Sequence, residues 1–281
     1  MPNSTRTKQF FKKLLFLCAL AAIAIAVIFG VQRISDRYQI IWPAAAKCSA
    51  KVNNYETSIT PAQAEMASII VAESQRRRLP PRAASIALAT AFQESGMRNI
   101  DHGDRDSVGL FQQRPSQGWG TVEQLTDPWY SSGKFYERLV TIPNWQTSDL
   151  NDIAQKVQIS AHPQAYRKHV AKSRTLASAL TGETPAAFGC NSSAEIARID
   201  TAADFLKRTF GNRITITRSA NTLQLHGESQ LIWSAAQLSI ANSSITGLKS
   251  VKAEYASWNS SAFKWSGAKA PTKSAVLYFQ K

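Results

Sequence analysis

Cysteine, methionine and histidine are scarce in this chain, at three, three and four of 281 residues. No two cysteines have CxxC spacing. His162 and His169 lie seven apart with no third ligand in view, so no metal site is expected. A Walker phosphate loop, a nucleophile elbow and a Cys-His peptidase signature are all missing, which removes the usual sequence support for nucleotide hydrolysis, serine-hydrolase chemistry and peptide cleavage. No cofactor is expected. Internal repeats and low-complexity tracts are also lacking. Acids are in short supply, 19 against 33 lysines and arginines, which leaves a net charge of +14.

Charge of either sign is absent for 18 positions, Leu14 to Val31, "LLFLCALAAIAIAVIFGV". At 1.5 Å per residue a helix of that length spans about 27 Å, close to the thickness of a hydrocarbon core. Arg6, Lys8, Lys12 and Lys13 precede it, which puts residues 1–13 in the cytoplasm and the bulk of the chain outside. A secretory h-region is usually shorter, about 7–15 residues. The small-residue run "PAAAK" at 43–47 stands far downstream for cleavage. An uncleaved signal anchor over 14–31 is therefore expected, with a cleaved signal peptide as the alternative. An outside location makes nucleic acid a poor partner for the positive charge. Anionic wall polymers, lipid headgroups or an envelope protein fit better, and simple solvation is the plainer reading.

Of the three cysteines, Cys18 falls in the apolar run. Cys48 and Cys190 remain, and in an oxidising compartment a disulfide between them would persist. Closing a loop of about 140 residues would stabilise the fold by on the order of 4–5 kcal/mol. Two unpaired thiols are the alternative.

Residues 32–47 look like a stalk. Thr60 is a candidate N-cap with Pro61 at the first helical position, and that helix stops before Pro80-Pro81. Arg76, Arg77 and Arg78 suit its C-terminus. A second helix is expected over 81–95, with Gly96 as its C′ residue. Asp127-Pro128 opens a third, 149–160 forms a fourth, and a fifth follows Pro163 to Gly182. Segment 48–190 is therefore expected to be mainly helical, with one polar insertion near 97–120. Segment 191–281 alternates a helix (195–209), β-rich runs at 213–218 and 222–226, a helix at 229–242, and strands in "SVKAEYA" and "SAVLYF". It is expected to form a small α+β accessory domain, also basic, with 11 Lys/Arg against 5 Asp/Glu.

The chemistry concentrates in "AFQESGMRNIDHGDRDSVGLFQQRPSQGWG", residues 91–120. Ala84, Ala87, Ala91 and Glu94 recur at helical spacing and share a small apolar face. A carboxyl there is partly desolvated and lies at a helix C-terminus. Both effects disfavour its charge and raise its pKa, as a general acid for a glycosidic oxygen requires. An exposed helix-end glutamate is the plainer reading. Asp101, Asp104 and Asp106 do not follow EF-hand spacing, so they are expected to fix the loop through Asx turns and pairs with Arg98, Arg105 or Arg114. Phe111, Trp119, Trp129, Tyr130, Tyr136 and Trp145 gather around the presumed cleft. Trp119, between two glycines, could stack on a sugar ring or pack into the core.

"QES" at 93–95, "GLFQ" at 109–112 and Pro115 resemble the lysozyme-like superfamily, closest to soluble lytic transglycosylases and goose-type lysozymes. That family shows Glu-Ser at the end of a buried helix, then a glycine-containing turn, Gly-Leu-Met-Gln and a proline. The resemblance covers about residues 60–180, and the whole layout is similar to membrane-anchored actinobacterial proteins with lysozyme-like domains. It implies a lysozyme-like domain that cleaves the β-1,4 bond between N-acetylmuramic acid and N-acetylglucosamine in peptidoglycan. It also implies Glu94 as catalytic acid/base. Ser95, Phe111 and Gln112 match the motif, Gln112 and the adjacent backbone would line the cleft, and Tyr166 of Ala165-Tyr166 would support Glu94. Two departures stand out. Asp106-Ser107 replaces Gly or Ala, and "AYRKH" replaces the family's "AYNAG". A catalytically inactive glycan-binding or scaffolding protein is the alternative. Asp106 could be a second carboxylate, as in c-type lysozymes, or a turn residue. As a catalytic partner it would have to stand about 5–5.5 Å (retaining) or 6.5–9.5 Å (inverting) from Glu94.

Overall fold

The computed structural model describes residues 4–38, 46–159, 164–261, 263–267 and 272–280. Residues 1–3 of the expected cytoplasmic tail, stalk positions 39–45 and His162 lie outside the described residues. The chain divides into two units, 1–45 and 46–281.

Among its described residues the first unit holds one helix, α1 (Ser4–Tyr38). Its stretch Lys12–Val31 is long and apolar enough to cross a membrane, which is compatible with a single-pass anchor or a signal sequence. Leu14 to Phe29 carry their large side chains exposed, unlike a core helix, and Cys18 is a free thiol among them.

The second unit mixes helix and sheet. It opens with a hairpin, β1 (Cys48–Val52) and β2 (Tyr55–Ile59), which turns at Asn53 in a left-handed conformation (φ 52°) that asparagine tolerates. No strand is expected here from the sequence. Thr60 then starts α2 (Pro61–Arg76) with a capping box. Its hydroxyl accepts from the Gln63 N–H (3.1 Å), while the Gln63 side chain accepts from the Thr60 N–H (3.0 Å). Helix α3 (Pro81–Ser95) is alanine-rich and almost wholly buried, and ends at Gly96 in the left-handed region (φ 65°).

A polar loop follows, then the short α4 (Val122–Leu125) and α5 (Pro128–Leu139), where Asp127 accepts from the Trp129 N–H at 2.8 Å as the expected cap. Helix α6 (Leu150–Gln158) ends at Ile159 (φ 53°). The helix expected from Pro163 begins later. Residues 167–169 are wound in a tight 3-10 turn, and α7 runs Val170–Leu180. Strand β3 (Phe188–Cys190) returns to pair with β1, giving the order β2-β1-β3. Cys48 and Cys190 are register partners in that ladder and are joined by a disulfide.

The remaining elements are α8 (Ile199–Phe210), β4 (Ile214–Ser219), β5 (Thr222–Gly227), α9 (Ser229–Ala241), α10 (Ser243–Thr246), β6 (Leu248–Ala253), β7 (Ala256–Asn259), β8 (Ser266–Gly267) and β9 (Ser274–Phe279). The strands form one antiparallel sheet in the order β4-β5-β9-β6-β7-β8.

Segments 48–190 and 191–281 pack as one unit around a single core, whose buried members run from Cys48 to Phe279. Buried Gln237 of α9 spans the two. It donates to Ala179 O (2.6 Å) and Thr184 O (3.1 Å) and accepts from the Ala187 and Phe188 N–H groups (both 2.8 Å). Asn242 donates to Ser68 Oγ (2.8 Å) and Trp265 to Phe188 O (2.8 Å). Each bond satisfies a polar group that would otherwise be stranded at the junction.

Candidate active site

Helix α3 carries Glu94 one residue before its end. The apolar face below it, Ala84, Ala87 and Ala91, is fully buried, and Glu94 itself is half-buried. Met97 continues the chain in a left-handed conformation (φ 63°), and the Gln63 side chain donates to Gly96 O (2.9 Å), so the end of α3 is tied to the start of α2. The helix end therefore presents the carboxyl from a rigid mount.

Two side chains from elsewhere in the fold meet that carboxyl. Tyr166, fully buried, donates its phenol to Glu94 Oε1 at 2.5 Å. Gln158, the last residue of α6, hydrogen-bonds Glu94 through its side chain and also donates to Phe111 O at 2.7 Å. No ion pair reaches Glu94 among the described residues. Burial raises its pKa above the usual glutamate value, and the bonds from Tyr166 and Gln158 offset part of that rise. The group is a carboxyl aided by neutral donors and relieved by no cation.

Ser95 is buried and works as a rivet. Its hydroxyl donates to Leu110 O (2.8 Å) and Ala91 O (3.1 Å) and accepts from the Arg98 N–H (3.2 Å). It fixes the Gly-Leu-Phe-Gln segment against the helix end. Val108 and Gln113 pair across that segment as an antiparallel bridge. Gly109 turns it at φ 78°, where a Cβ would lie 2.2 Å from Leu125 O, so only glycine fits.

The expected cleft residues separate. Phe111 is fully buried and stacked on Phe135, with centroids 4.8 Å apart. Its side chain belongs to the core, and only its carbonyl joins the Glu94 network. Gln112 sits at φ 48° and donates to His102 O (3.2 Å) and Gly109 O (3.3 Å), so its amide braces the loop. Trp119 is partly buried against the core. Tyr136 and Trp145 are core residues, whereas Trp129 and Tyr130 are half-exposed.

Asp106 takes the turn role. Its Oδ1 accepts from Arg114 Nε (2.8 Å) and Ser116 Oγ (3.0 Å), and its Oδ2 from the Ser116 N–H (2.7 Å). The Arg114 guanidinium first, then the Ser116 donors, hold this carboxylate well below the usual range. Asp101 pairs with exposed His102. Among the described residues no group of three His, Cys, Asp or Glu could hold a metal ion.

Gln158 escaped the sequence reading. It stands in "KVQIS", on an amphipathic helix, with no local signal that its amide reaches across to α3. His169 and Lys172 also flank the helix end, His169 stacked on Phe92 (5.8 Å) and Lys172 Nζ 4.5 Å from the Phe92 ring centre. Burial lowers the pKa of each, and for His169 the charges of Lys168 and Lys172 add to that.

Set against known proteins, the chain matches no family model and no curated protein.

Proposed function

We propose that this chain is a membrane-anchored, wall-facing protein whose 48–190 segment is a lysozyme-like domain cleaving the β-1,4 bond between N-acetylmuramic acid and N-acetylglucosamine in peptidoglycan. Residues 14–31 would anchor it in the cytoplasmic membrane, with the bulk of the chain outside the cytoplasm. The basic flank and the Cys48–Cys190 disulfide support that placement.

The observation that carries the reading is the Glu94 carboxyl, half-buried at a helix end, bonded to the Tyr166 phenol and met by no cation among the described residues. A carboxyl in that setting keeps its proton to higher pH than a free one, which suits a general acid. Glu94 would protonate the glycosidic oxygen as the C1–O bond breaks. The resulting carboxylate would then take the proton of the muramic acid C6 hydroxyl as that oxygen closes on C1, leaving a 1,6-anhydro end and a restored acid. Asp106 is committed to Arg114 and Ser116, which favours this one-carboxylate route over a lysozyme-type pair. Tyr166 and Gln158 would hold the Glu94 carboxyl in place, and Trp119 would contact sugar.

The test is incubation of residues 46–281 with purified peptidoglycan and mass spectrometry of the released sugars, with Glu94→Gln alongside. Anhydro products lost in the variant are expected. Reducing ends would bring Asp106 back as a partner. A second reading, a glycan-binding scaffold without turnover, draws on Gln112, whose amide is occupied within its own loop. Retained glycan binding with no release from several wall types would favour it.

A further inference from the structure

The C-terminal ends of α2 and α8 converge on a cavity of about 420 Å³. Four arginines line it, Arg76, Arg78, Arg208 and Arg213, and among the described residues no Asp or Glu does. Helix capping accounts for part of this. Arg213 donates to Gln75 O (2.6 Å) at the end of α2, and to Thr209 O (3.0 Å) and Phe210 O (3.2 Å) at the end of α8. These carbonyls lie in the last turns of the two helices. Arg76 is likewise spoken for, held to Glu73 by two bonds of 2.7 Å.

Arg78 and Arg208 are different. Neither makes an ion pair among the described residues. Arg78 stands at φ 56°, a left-handed position more usual for glycine. Arg208 is held over the Trp129 ring, 4.1 Å from its centre. The charge of Arg213 is disfavoured by burial and further by Arg78. An adjoining cavity of about 250 Å³ shares Arg76 and Arg208 but contains Glu73, Asp127 and Glu137 against its cations. The carboxylates stop at the border between the two. Gly211 also lines it, and a Cβ there would meet nothing within 4 Å.

We infer that this cavity binds the phosphate group of an anionic ligand through Arg78 and Arg208. Two guanidinium forks supply more donors than the two oxygens of one carboxylate can use, whereas a tetrahedral oxyanion presents its oxygens in several directions and takes them in pairs. The phosphate could come from a soluble phosphodiester polymer or from a lipid headgroup. The inference does not rest on the reading of Glu94.

The test uses the full chain in uncharged maltoside micelles at constant ionic strength, with inorganic phosphate titrated by calorimetry. Saturable one-to-one binding is expected. The double variant Arg78→Gln/Arg208→Gln should weaken it about tenfold or more, since each loses a charge-assisted bond. Arg78→Lys/Arg208→Lys, which keeps the charge and loses the fork, should fall between the two. Melting curves without phosphate check that both variants fold as the parent does. Phosphatidylglycerol added to the micelles distinguishes the source. Competition with phosphate assigns a lipid headgroup. No competition, with a glycerol-phosphodiester oligomer competing instead, assigns a soluble polymer. Absent binding, binding equal in parent and double variant, or an equal response to acetate would overturn the inference.

Discussion

Glu73 and Glu94 are both drawn out of water on consecutive helices of one core, α2 and α3, and their surroundings are opposite. Glu73 has a side chain only 2% exposed and is clasped by cations. Arg76 reaches both its oxygens at 2.7 Å, and Arg77 Nε reaches Oε1 at 2.7 Å. Arg77 also extends to Glu137 at 3.1 Å. Among the described residues Glu94 receives a phenol and an amide and no cation. Burial alone does not make an acid catalyst. A buried carboxylate matched by guanidinium groups is a structural tie, while one matched by neutral donors alone has no cation to offset the burial of its charge. The chain places a tie at the end of one helix and a carboxyl of raised pKa at the end of the next.

The strongest way to break this contrast is to remove each carboxyl in turn. Glu94→Gln should lower glycan release by about 10²- to 10⁴-fold, the usual share of a general acid. Glu73→Gln should leave release per folded molecule within about tenfold, on the same scale. Equal losses in the product assay would mean that the two glutamates do not differ in role.

Stability should report the reverse order. Removing one partner of a buried ion pair costs about 3–5 kcal/mol where the other charge is stranded. The side chains of Arg76 and Arg77 are 47% and 26% exposed, so they can recover hydration. Glu73→Ala is therefore expected to cost less, about 2 kcal/mol, read from urea unfolding of residues 46–281. A cost near zero would mean that the arginines hold Glu73 without the fold needing it.

Tyr166→Phe sharpens the comparison from the side of Glu94. The phenol lowers the Glu94 pKa by bonding its charged form, so its loss raises that pKa further. The alkaline limb of the pH–rate profile, where the acid form is lost, should move to higher pH. The rate at the optimum should fall about tenfold as one bond to the carboxyl disappears. A limb that stays in place would detach Tyr166 from the titration of Glu94.

How much of this could be read beforehand follows the range of the interactions. Local devices were legible. The Thr60–Gln63 capping box, the Asp127 cap, the glycine end of α3 and the strands at 214–219, 222–227 and 274–279 all depend on neighbours within a few positions. The pairing of Cys48 with Cys190 followed from having two cysteines outside the apolar run. The β1–β2 hairpin was missed, because five-residue strands around Asn53-Asn54 carry little periodicity and their stability comes from β3, far along the chain. Gln158, Phe111 and Gln112 illustrate the same limit at the site. Motif position put the last two in the cleft, but packing turned one ring into the core and tied the other amide to its own loop. Gln158 gained its place only because α6 folds back onto the end of α3.

The smallest expected effect is also the most specific to a carboxyl of raised pKa. A group whose folded pKa lies above its unfolded value binds protons more tightly in the native state. Native stability therefore falls as pH rises from the usual glutamate range through the raised value of Glu94. Glu94→Gln removes that ionisation while keeping an acceptor for Tyr166. Above the raised pKa the variant should be more stable than the parent by on the order of 1 kcal/mol, the scale on which relieved active-site groups repay stability. Below the ordinary glutamate range the parent carboxyl is protonated in both states, and the gain should vanish. Melting temperatures of the pair, taken every half unit from pH 3.5 to 8, would trace the difference. A gain constant across that range would show that Glu94 is unfavourable for reasons of packing, and a loss would place it with Glu73 among the ties.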